Sequence, residues 1–148
     1  MQISIFRQVP DEYVTQLQRV HEAVLGDELA EDSLYDLPNM LVLLAIENGR
    51  VVGFKIGYDI EDHVFYSWVG GVDPTFRRNG IAMQLIERQH EELKKLGYIA
   101  VRTYSRNELK EMLIVNLKAG FNIVDTFTDH KGRHKIMLEK CLNEEENS

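Results

Sequence analysis

The chain has 148 residues, 44% hydrophobic and 28% charged, which is the composition of one soluble globular domain over residues 1–148. Its formal net charge of −7 argues against a nucleic-acid partner, and no apolar run is long enough to cross a membrane. The single cysteine excludes an internal disulfide and, with no signal peptide recognised, favours the reducing cytoplasm.

The hydrophobic periodicity predicts strands and helices in the order β-α-α-β-β-β-α-β-α-β-β. The strands are expected over residues 1–7, 40–46, 51–58, 64–73, 99–104, 121–127 and 134–142. The helices are expected over residues 10–25, 29–37, 80–96 and 107–119. An Asn-Gly signal and an acidic turn join the second, third and fourth strands into an antiparallel meander. The fourth and fifth strands are expected to be parallel, since a helix connects them.

The positions of four residues within these elements predict their local structural roles. Asn107 is expected to cap the last helix, because its side chain can accept a first-turn N–H. His90 lies off the apolar stripe of its helix and is expected at the surface. Gly53 and Gly57 lie inside a strand and are expected at bulges or at tight packing.

Two acidic stretches, residues 27–36 and 59–62, admit two interpretations. They can be solvated surface, or they can attract a cationic ligand to a binding pocket. Acidic loops are common in a chain of negative net charge, so the sequence leaves the choice open.

The junction over residues 72–82, V-D-P-T-F-R-R-N-G-I-A, carries the strongest functional signal in the chain. Pro74 ends the preceding strand, and the apolar period from Ile81 onward predicts a helix that starts near Asn79 or Gly80. The unpaired N–H groups of that helix start, with two arginines beside them, favour a phosphate-like anion. A solvated turn that binds nothing is the alternative, and the sequence contains neither a P-loop nor a G-x-G-x-x-G motif.

This junction resembles that of the GCN5-related N-acetyltransferases (GNAT). The motif Arg77-x-x-Gly80-x-Ala82 matches the R/Q-x-x-G-x-G/A signature of the family, and Val72-x-Pro74 matches the end of its fourth strand. Downstream, Asn107 and Lys118-x-Gly120-Phe121 match the segment that follows in the family. The resemblance covers residues 64–127 well and the order of elements over most of the rest.

The resemblance implies an α/β (α+β) GNAT acyl-CoA N-acyltransferase fold with a mixed seven-stranded sheet, four helices and splayed fourth and fifth strands. It implies acetyl-CoA as the cosubstrate, with no metal. The pyrophosphate would lie on the amides at the helix start, and the pantetheine arm would follow the fourth strand. The coenzyme-binding residues expected on this basis are Gly70, Val72, Arg77, Arg78, Asn79, Gly80, Ile81, Ala82, Asn107 and Asn116.

The catalytic positions depart from the family pattern. The positions of the family's two alternative glutamate bases hold Tyr66 and Arg102, and the position of its tyrosine acid holds Asn116. An amide cannot protonate a thiolate as a phenol can. Tyr66 and Tyr104 are therefore the candidate catalytic residues, with ordinary strand packing as their alternative role. A thiolate can also leave without an acid, because thiols are far more acidic than alcohols.

The implied reaction is direct acetyl transfer to a primary amine of a small molecule or peptide. A base or a water chain must deprotonate the amine, and an N–H group must stabilise the oxyanion. A non-catalytic acyl-CoA sensor or pseudo-enzyme is one alternative, and a phosphate- or nucleotide-binding module unrelated to coenzyme A is another. The acceptor is left open between a peptide N-terminus, a lysine side chain, a polyamine and an aminoglycoside. Because dimers are frequent in the family, a homodimer is one expected assembly.

Overall fold

The computed structural model describes residues 1–77 and 79–143 of the chain. Arg78, one of the predicted phosphate ligands, and the expected acidic tail over residues 144–148 lie outside these ranges. The strands are β1 (Gln2–Phe6), β2 (Leu41–Glu47), β3 (Arg50–Glu61), β4 (Val64–Val72), β5 (Ala100–Ser105), β6 (Asn122–Thr128) and β7 (His134–Cys141). The α-helices of these two ranges are α1 (Val14–Leu25), α2 (Ile81–Lys95) and α3 (Lys110–Lys118). None of them is long and apolar enough to cross a membrane.

All seven strands form one mixed sheet in the order β1-β2-β3-β4-β5-β7-β6. Strands β1 to β4 pair antiparallel, β4 and β5 pair parallel, and β7 pairs antiparallel with both β5 and β6. Helix α2 connects the parallel pair, as a crossover connection requires. The predicted meander, parallel pair and seven-stranded mixed sheet are therefore confirmed.

The helices pack on opposite faces of the sheet. On the α1 face, Leu17 and Val20 pack in an apolar cluster with Phe54 and Ile56 of β3. On the α2 face, α2 and α3 pack over a second cluster whose strand residues come from β2 to β5 and β7. Alternate residues of β2 serve different cores, with Leu41 and Leu43 in the α2-face cluster and Val42 in the α1-face cluster, since successive side chains of a strand point to opposite faces. The α1-face cluster draws its strand residues from β1 to β4, so it leaves the same face of β5, β6 and β7 outside it.

The predicted second helix over residues 29–37 is wrong. The segment contains only a short 3₁₀ turn, Glu31–Leu34, whose flanking residues are extended. Leu29 and Leu34 are buried and hold the segment on the α1 face. Two apolar anchors five residues apart do not make a helical stripe, and Asp36 takes a left-handed φ of 61° that ends any helical run. The described chain therefore has three α-helices where four were expected.

The predicted capping role of Asn107 is also wrong. Residues 106–109 form a turn in which the Leu109 N–H donates to the Arg106 carbonyl at 3.0 Å. Helix α3 begins only at Lys110, and no side-chain cap is formed there. Asn107 lies exposed in the turn, so its amide remains available to contact a ligand.

Candidate functional site

The candidate site begins where β4 and β5 separate. The two strands pair only over Val64–Tyr66 and Ala100–Arg102, although β4 continues to Val72 and β5 to Ser105. At the point of separation, the Thr103 hydroxyl donates to the Ser67 carbonyl at 2.8 Å and takes the place of the next ladder bond. Beyond it, the β5-facing edge of β4 has no strand partner in the part of the chain that the structure describes. A strand edge of this kind can pair with an extended ligand.

A β-bulge in β4 lies beside this gap. Gly57 of β3 faces Ser67 and Ile56 faces Val69, so Trp68 is the extra residue of the bulge. A Cβ on Gly57 would overlap the Tyr66 carbonyl and the ring of Phe65, which shows how closely the two backbones approach. The expectation of a bulge or tight packing at Gly57 is confirmed, and the bulge bends β4 at the start of its unpaired edge.

The other glycines near the gap mark tight packing. A Cβ on Gly53 would lie 3.2 Å from Ile81 of α2, as the expectation of tight packing requires. A Cβ on Gly70 would lie 3.1 Å from the Phe54 carbonyl, and one on Gly71 would lie 3.0 Å from Val24 of α1. Strand β3 and helix α1 therefore pack closely on the unpaired segment of β4, and α2 packs closely on β3.

The end of β4 leads directly to the start of α2. Pro74–Phe76 forms one 3₁₀ turn, and the Asp73 carboxylate accepts from the Thr75 N–H at 3.0 Å. Gly80 then takes a φ of +75°, a left-handed conformation that glycine adopts without strain, and α2 follows. Pro74 and Gly80 thus end the strand and start the helix where the sequence predicted.

The first turn of α2 is open to an anion. Gly80 provides no side-chain cap, so within the described residues the first-turn amides of Ile81 and Ala82 have neither a helical nor a side-chain acceptor. Among the described residues, a Cβ on Gly80 would meet only the Gln84 side chain, at 3.8 Å, which leaves room beside this backbone. The predicted phosphate-binding residues 79–82 are brought together here.

Arg77 lies beside this helix start and connects it to α3. Its guanidinium is exposed, and its Nη1 lies 3.7 Å from a Glu111 Oε2 in the first turn of α3. A pair this long and this exposed is weak, so the guanidinium can turn to an anion with little loss. The contact brings the first turn of α3 close to the turn between β4 and α2.

Buried polar atoms without partners flank the gap. Ser67 Oγ on β4, Ser105 Oγ on β5 and the Asn116 Oδ1 on α3 are buried and make no hydrogen bond within the described residues. Buried polar groups are almost always satisfied in folded proteins, so these three atoms are candidates for hydrogen bonds to a ligand. The amide of Gln89 and the Nε2 of His90 on α2 also lack partners within the described residues. Asn116 was expected from the sequence, whereas the two serines were missed. The signal for Ser67 was a small polar residue in a mostly apolar strand, whereas Ser105 ends a strand that also contains Arg102 and Thr103 and gave no such signal.

His90 is buried on α2, contrary to the predicted surface position. Its Nδ1 accepts from the Lys140 ammonium at 3.3 Å, and its ring packs at 5.4 Å against Phe121. An ammonium group can only donate, so the imidazole carries its proton on Nε2. Burial, reinforced by the charges of Lys140, Lys55 and Lys94, lowers the pKa of His90 to about 3. The residue is therefore a neutral part of the core.

Neutral His90 makes the stability of the fold depend on pH. Its pKa is about 3 when folded and 6.5 when unfolded, so its contribution is complete above pH 6.5 and is lost as the pH falls toward 3. Between pH 7 and 5, wild type should lose roughly 2 kcal/mol of unfolding free energy more than His90→Gln, which cannot titrate. Urea denaturation of both proteins at the two pH values measures the difference. Parallel losses in the two proteins would contradict the buried neutral assignment.

A row of aromatic rings lies on the α1 face beside the gap. Tyr66 contacts Tyr58 at 5.4 Å and Tyr104 at 5.6 Å, between ring centroids. The row extends to Trp68, 6.1 Å from Tyr58, and to Phe127, 6.0 Å from Tyr104. The structure thus brings the two candidate catalytic tyrosines together. Sequence reasoning missed the other three rings, although alternate aromatic residues on β4 were a visible signal.

The phenol of Tyr66 is a weak proton donor in this position. Burial, with the neighbouring Tyr58 and Tyr104, raises the pKa of Tyr66 to about 12. The other family base position, Arg102, donates to Glu139 at 2.9 Å and to Glu61 at 3.1 Å. A guanidinium cannot act as a base. No set of three or more His, Cys, Asp or Glu side chains in the described ranges could hold a metal ion.

Comparison with known proteins agrees with this geometry. A family model described as "Acetyltransferase (GNAT) family" matches residues 7–109. No curated protein matches the chain. The fold is similar to that of the ribosomal-protein-S18-alanine N-acetyltransferase from Escherichia coli, with a TM-score of 0.77 at 17% identity over 95% of this chain and 94% of that one.

Two further solved structures share the fold. Aminoglycoside 6'-acetyltransferase type Ii has a TM-score of 0.81 at 18% identity, over 96% of this chain and 97% of that one. The PaiA N-acetyltransferase from Thermoplasma acidophilum, solved in complex with coenzyme A, has a TM-score of 0.74 at 18% identity, over 95% of this chain and 99% of that one. At these identities the comparisons show that the fold is similar. They do not identify the acceptor of this chain.

Proposed function

The chain belongs to the acetyltransferase (GNAT) family, and from that premise we propose that it transfers the acetyl group of acetyl-CoA to a primary amine. The observation that carries the proposal is the continuity of the site. The unpaired edge of β4 ends at Val72, and a short connection that includes the 3₁₀ turn Pro74–Phe76 joins it to the uncapped start of α2. An extended amide-containing arm suits the first part, and a pyrophosphate suits the second.

The residues present fit this cosubstrate. The amides of Ile81 and Ala82, with Gly80 and Arg77, would hold the pyrophosphate. The backbone of β4 at Gly70 and Val72 would pair with the amides of the pantetheine arm. The buried atoms of Ser67, Ser105 and Asn116 would gain the partners that they lack. When bound, acetyl-CoA supplies an acetyl group activated as a thioester.

The acceptor amine would approach from the aromatic row on the α1 face. Tyrosine and tryptophan rings attract cations, and they can orient a protonated amine before it reacts. The family base positions hold Tyr66 and Arg102, neither of which is a base at neutral pH. The amine would therefore lose its proton to water. A peptide or small-molecule amine fits this open surface. We place the protein in the cytoplasm, where such amines are found.

A non-catalytic acyl-CoA sensor is the second candidate function. The departures at Tyr66, Arg102 and Asn116 favour it, because the base and acid positions of the family are both replaced. It differs from the enzyme in one measurable respect, which is that coenzyme binding would never lead to thiol release.

Calorimetry with acetyl-CoA, followed by thiol-release assays on a panel of amines, tests the proposal. We expect a micromolar dissociation constant and an affinity for acetyl-CoA at least roughly tenfold above that for ADP, because the pantetheine arm adds contacts along β4. Thiol release should require one class of amine. Equal affinity for ADP and acetyl-CoA would contradict the role of the β4 edge. Binding without release for any amine would favour the sensor.

A further inference from the structure

Lys55 is a buried lysine in the middle of β3. Its residue exposure is 5%, and it makes no hydrogen bond or ion pair within residues 1–77 and 79–143. Lysine is almost never fully buried unless a partner compensates its charge. The side chain therefore needs an explanation from the site.

The stem of Lys55 is directed toward the unpaired part of β4. Lys55 pairs in register with Gly70, and a Cβ on Gly70 would lie 3.4 Å from the Lys55 Cγ. The absence of a side chain on Gly70 thus gives the lysine its room. Because Phe54 and Ile56 of β3 pack in the α1-face cluster, the Lys55 side chain between them lies on the α2 face. Ser67 Oγ, buried without a partner, belongs to the same strand segment.

We propose that Lys55 is the catalytic acid of this protein, which donates a proton to the sulfur of coenzyme A as the thioester bond breaks. The inference rests on the proposed function, since it assumes that the pantetheine arm follows β4 past Gly70. As the carbon–sulfur bond breaks, its electron pair stays on sulfur, and one Nζ proton of Lys55 passes to that sulfur. The acceptor ammonium loses one proton to water before it attacks and a second as the amide forms. Water returns one proton to the neutral Lys55 and the other is released, so the proton count balances.

The acidity of Lys55 suits this role better than that of the tyrosines. Burial lowers the pKa of Lys55 to about 8, near the value of about 8.5 that is usual for a thiol. A donor and acceptor of similar pKa exchange a proton at little cost. Tyr66, with a pKa of about 12, is a far weaker acid. The other titratable groups near this region, neutral His90 and Lys140, contact each other.

The test titrates the thiol of coenzyme A bound to the protein, which requires no knowledge of the acceptor. Thiolate absorbance in the ultraviolet is followed against pH for wild type, Lys55→Met and Lys55→Arg, after calorimetry has established that each binds coenzyme A. Lys131→Met, in the exposed β6–β7 turn, is the matched control. In wild type, Lys55→Arg and the control, a nearby cation should hold the pKa of the bound thiol about one to three units below its value in Lys55→Met.

The outcomes separate this inference from the proposed function. Equal thiol pKa values in wild type and Lys55→Met, with coenzyme A bound to both, would overturn the role of Lys55 and leave the transferase intact. A folded Lys55→Met protein that no longer bound coenzyme A would also overturn it, and would make Lys55 a binding residue. If Lys55→Met does not fold, Lys55→Gln serves as the uncharged variant under the same criteria. Wild type that fails to bind coenzyme A would instead contradict the proposed function.

Discussion

Replacing Gly80 with aspartate is expected to weaken acetyl-CoA binding about 100-fold, or roughly 2.7 kcal/mol. Gly80 immediately precedes the uncapped amides of α2, where the open space above the backbone would receive the pyrophosphate. An aspartate there accepts from the same amides that a phosphate needs, and its charge repels the phosphates. Calorimetric titration with acetyl-CoA measures the loss.

Gly80→Asn is the matched control for that substitution. Asparagine has the shape of aspartate and also tolerates a positive φ, so it separates charge from steric and backbone effects. We expect Gly80→Asn to lose roughly tenfold less affinity than Gly80→Asp. Arg77→Ala should lie between wild type and Gly80→Asp, because the exposed guanidinium can add attraction without closing the site. Equal affinities for the Asp and Asn variants would show that no phosphate lies on these amides.

The junction over residues 72–82 could be predicted because its signals are local. Pro74 cannot continue a ladder, Gly80 permits the left-handed turn, and the apolar period changes at Ile81. Each of these properties depends on neighbours within a few positions, and the structure has the strand end and the helix start as expected. The coenzyme-binding roles of these residues stay predictions until binding is measured.

The buried polar residues could not be predicted because their burial depends on distant segments. His90 contacts Lys140, fifty positions away, and Phe121 beyond α3. From the helix alone, a histidine off the apolar stripe belongs on the surface. In the structure, Phe121 and Lys140 pack against this side of α2 and bury His90. Lys55 escaped notice for the same reason, since a single lysine in an apolar strand does not show which face it occupies.

The shape of the site depends on register, which the sequence did not reveal. The gap exists because β4 pairs with β5 over three residues only, and the bulge at Trp68 shifts which side chains face each core. The aromatic row combines rings from four strands, β3, β4, β5 and β6. A one-residue slip would move these side chains to the other face of the sheet. Tyr66 and Tyr104 were therefore identified singly, and their common surface was not.

Gly57→Ala is expected to lower the free energy of unfolding by about 3 kcal/mol. The added Cβ would overlap the Tyr66 carbonyl and the ring of Phe65, which is fully buried and cannot turn aside. The strands must then separate at the start of the bulge, where Gly57 faces Ser67. Urea denaturation measures the loss, and calorimetry of the folded variant should show weaker acetyl-CoA binding because the β4 edge has moved.

Gly132→Ala separates this clash from the general effect of replacing a glycine. Gly132 lies in the β6–β7 turn with a φ of +79°, and a Cβ there meets nothing within 4 Å. Its replacement should cost about 1 kcal/mol through the backbone alone and leave coenzyme binding unchanged. If Gly57→Ala were no more destabilising than Gly132→Ala, β3 and β4 would not approach as closely as the structure requires. The bulge would then not be what holds the open edge of β4 in place.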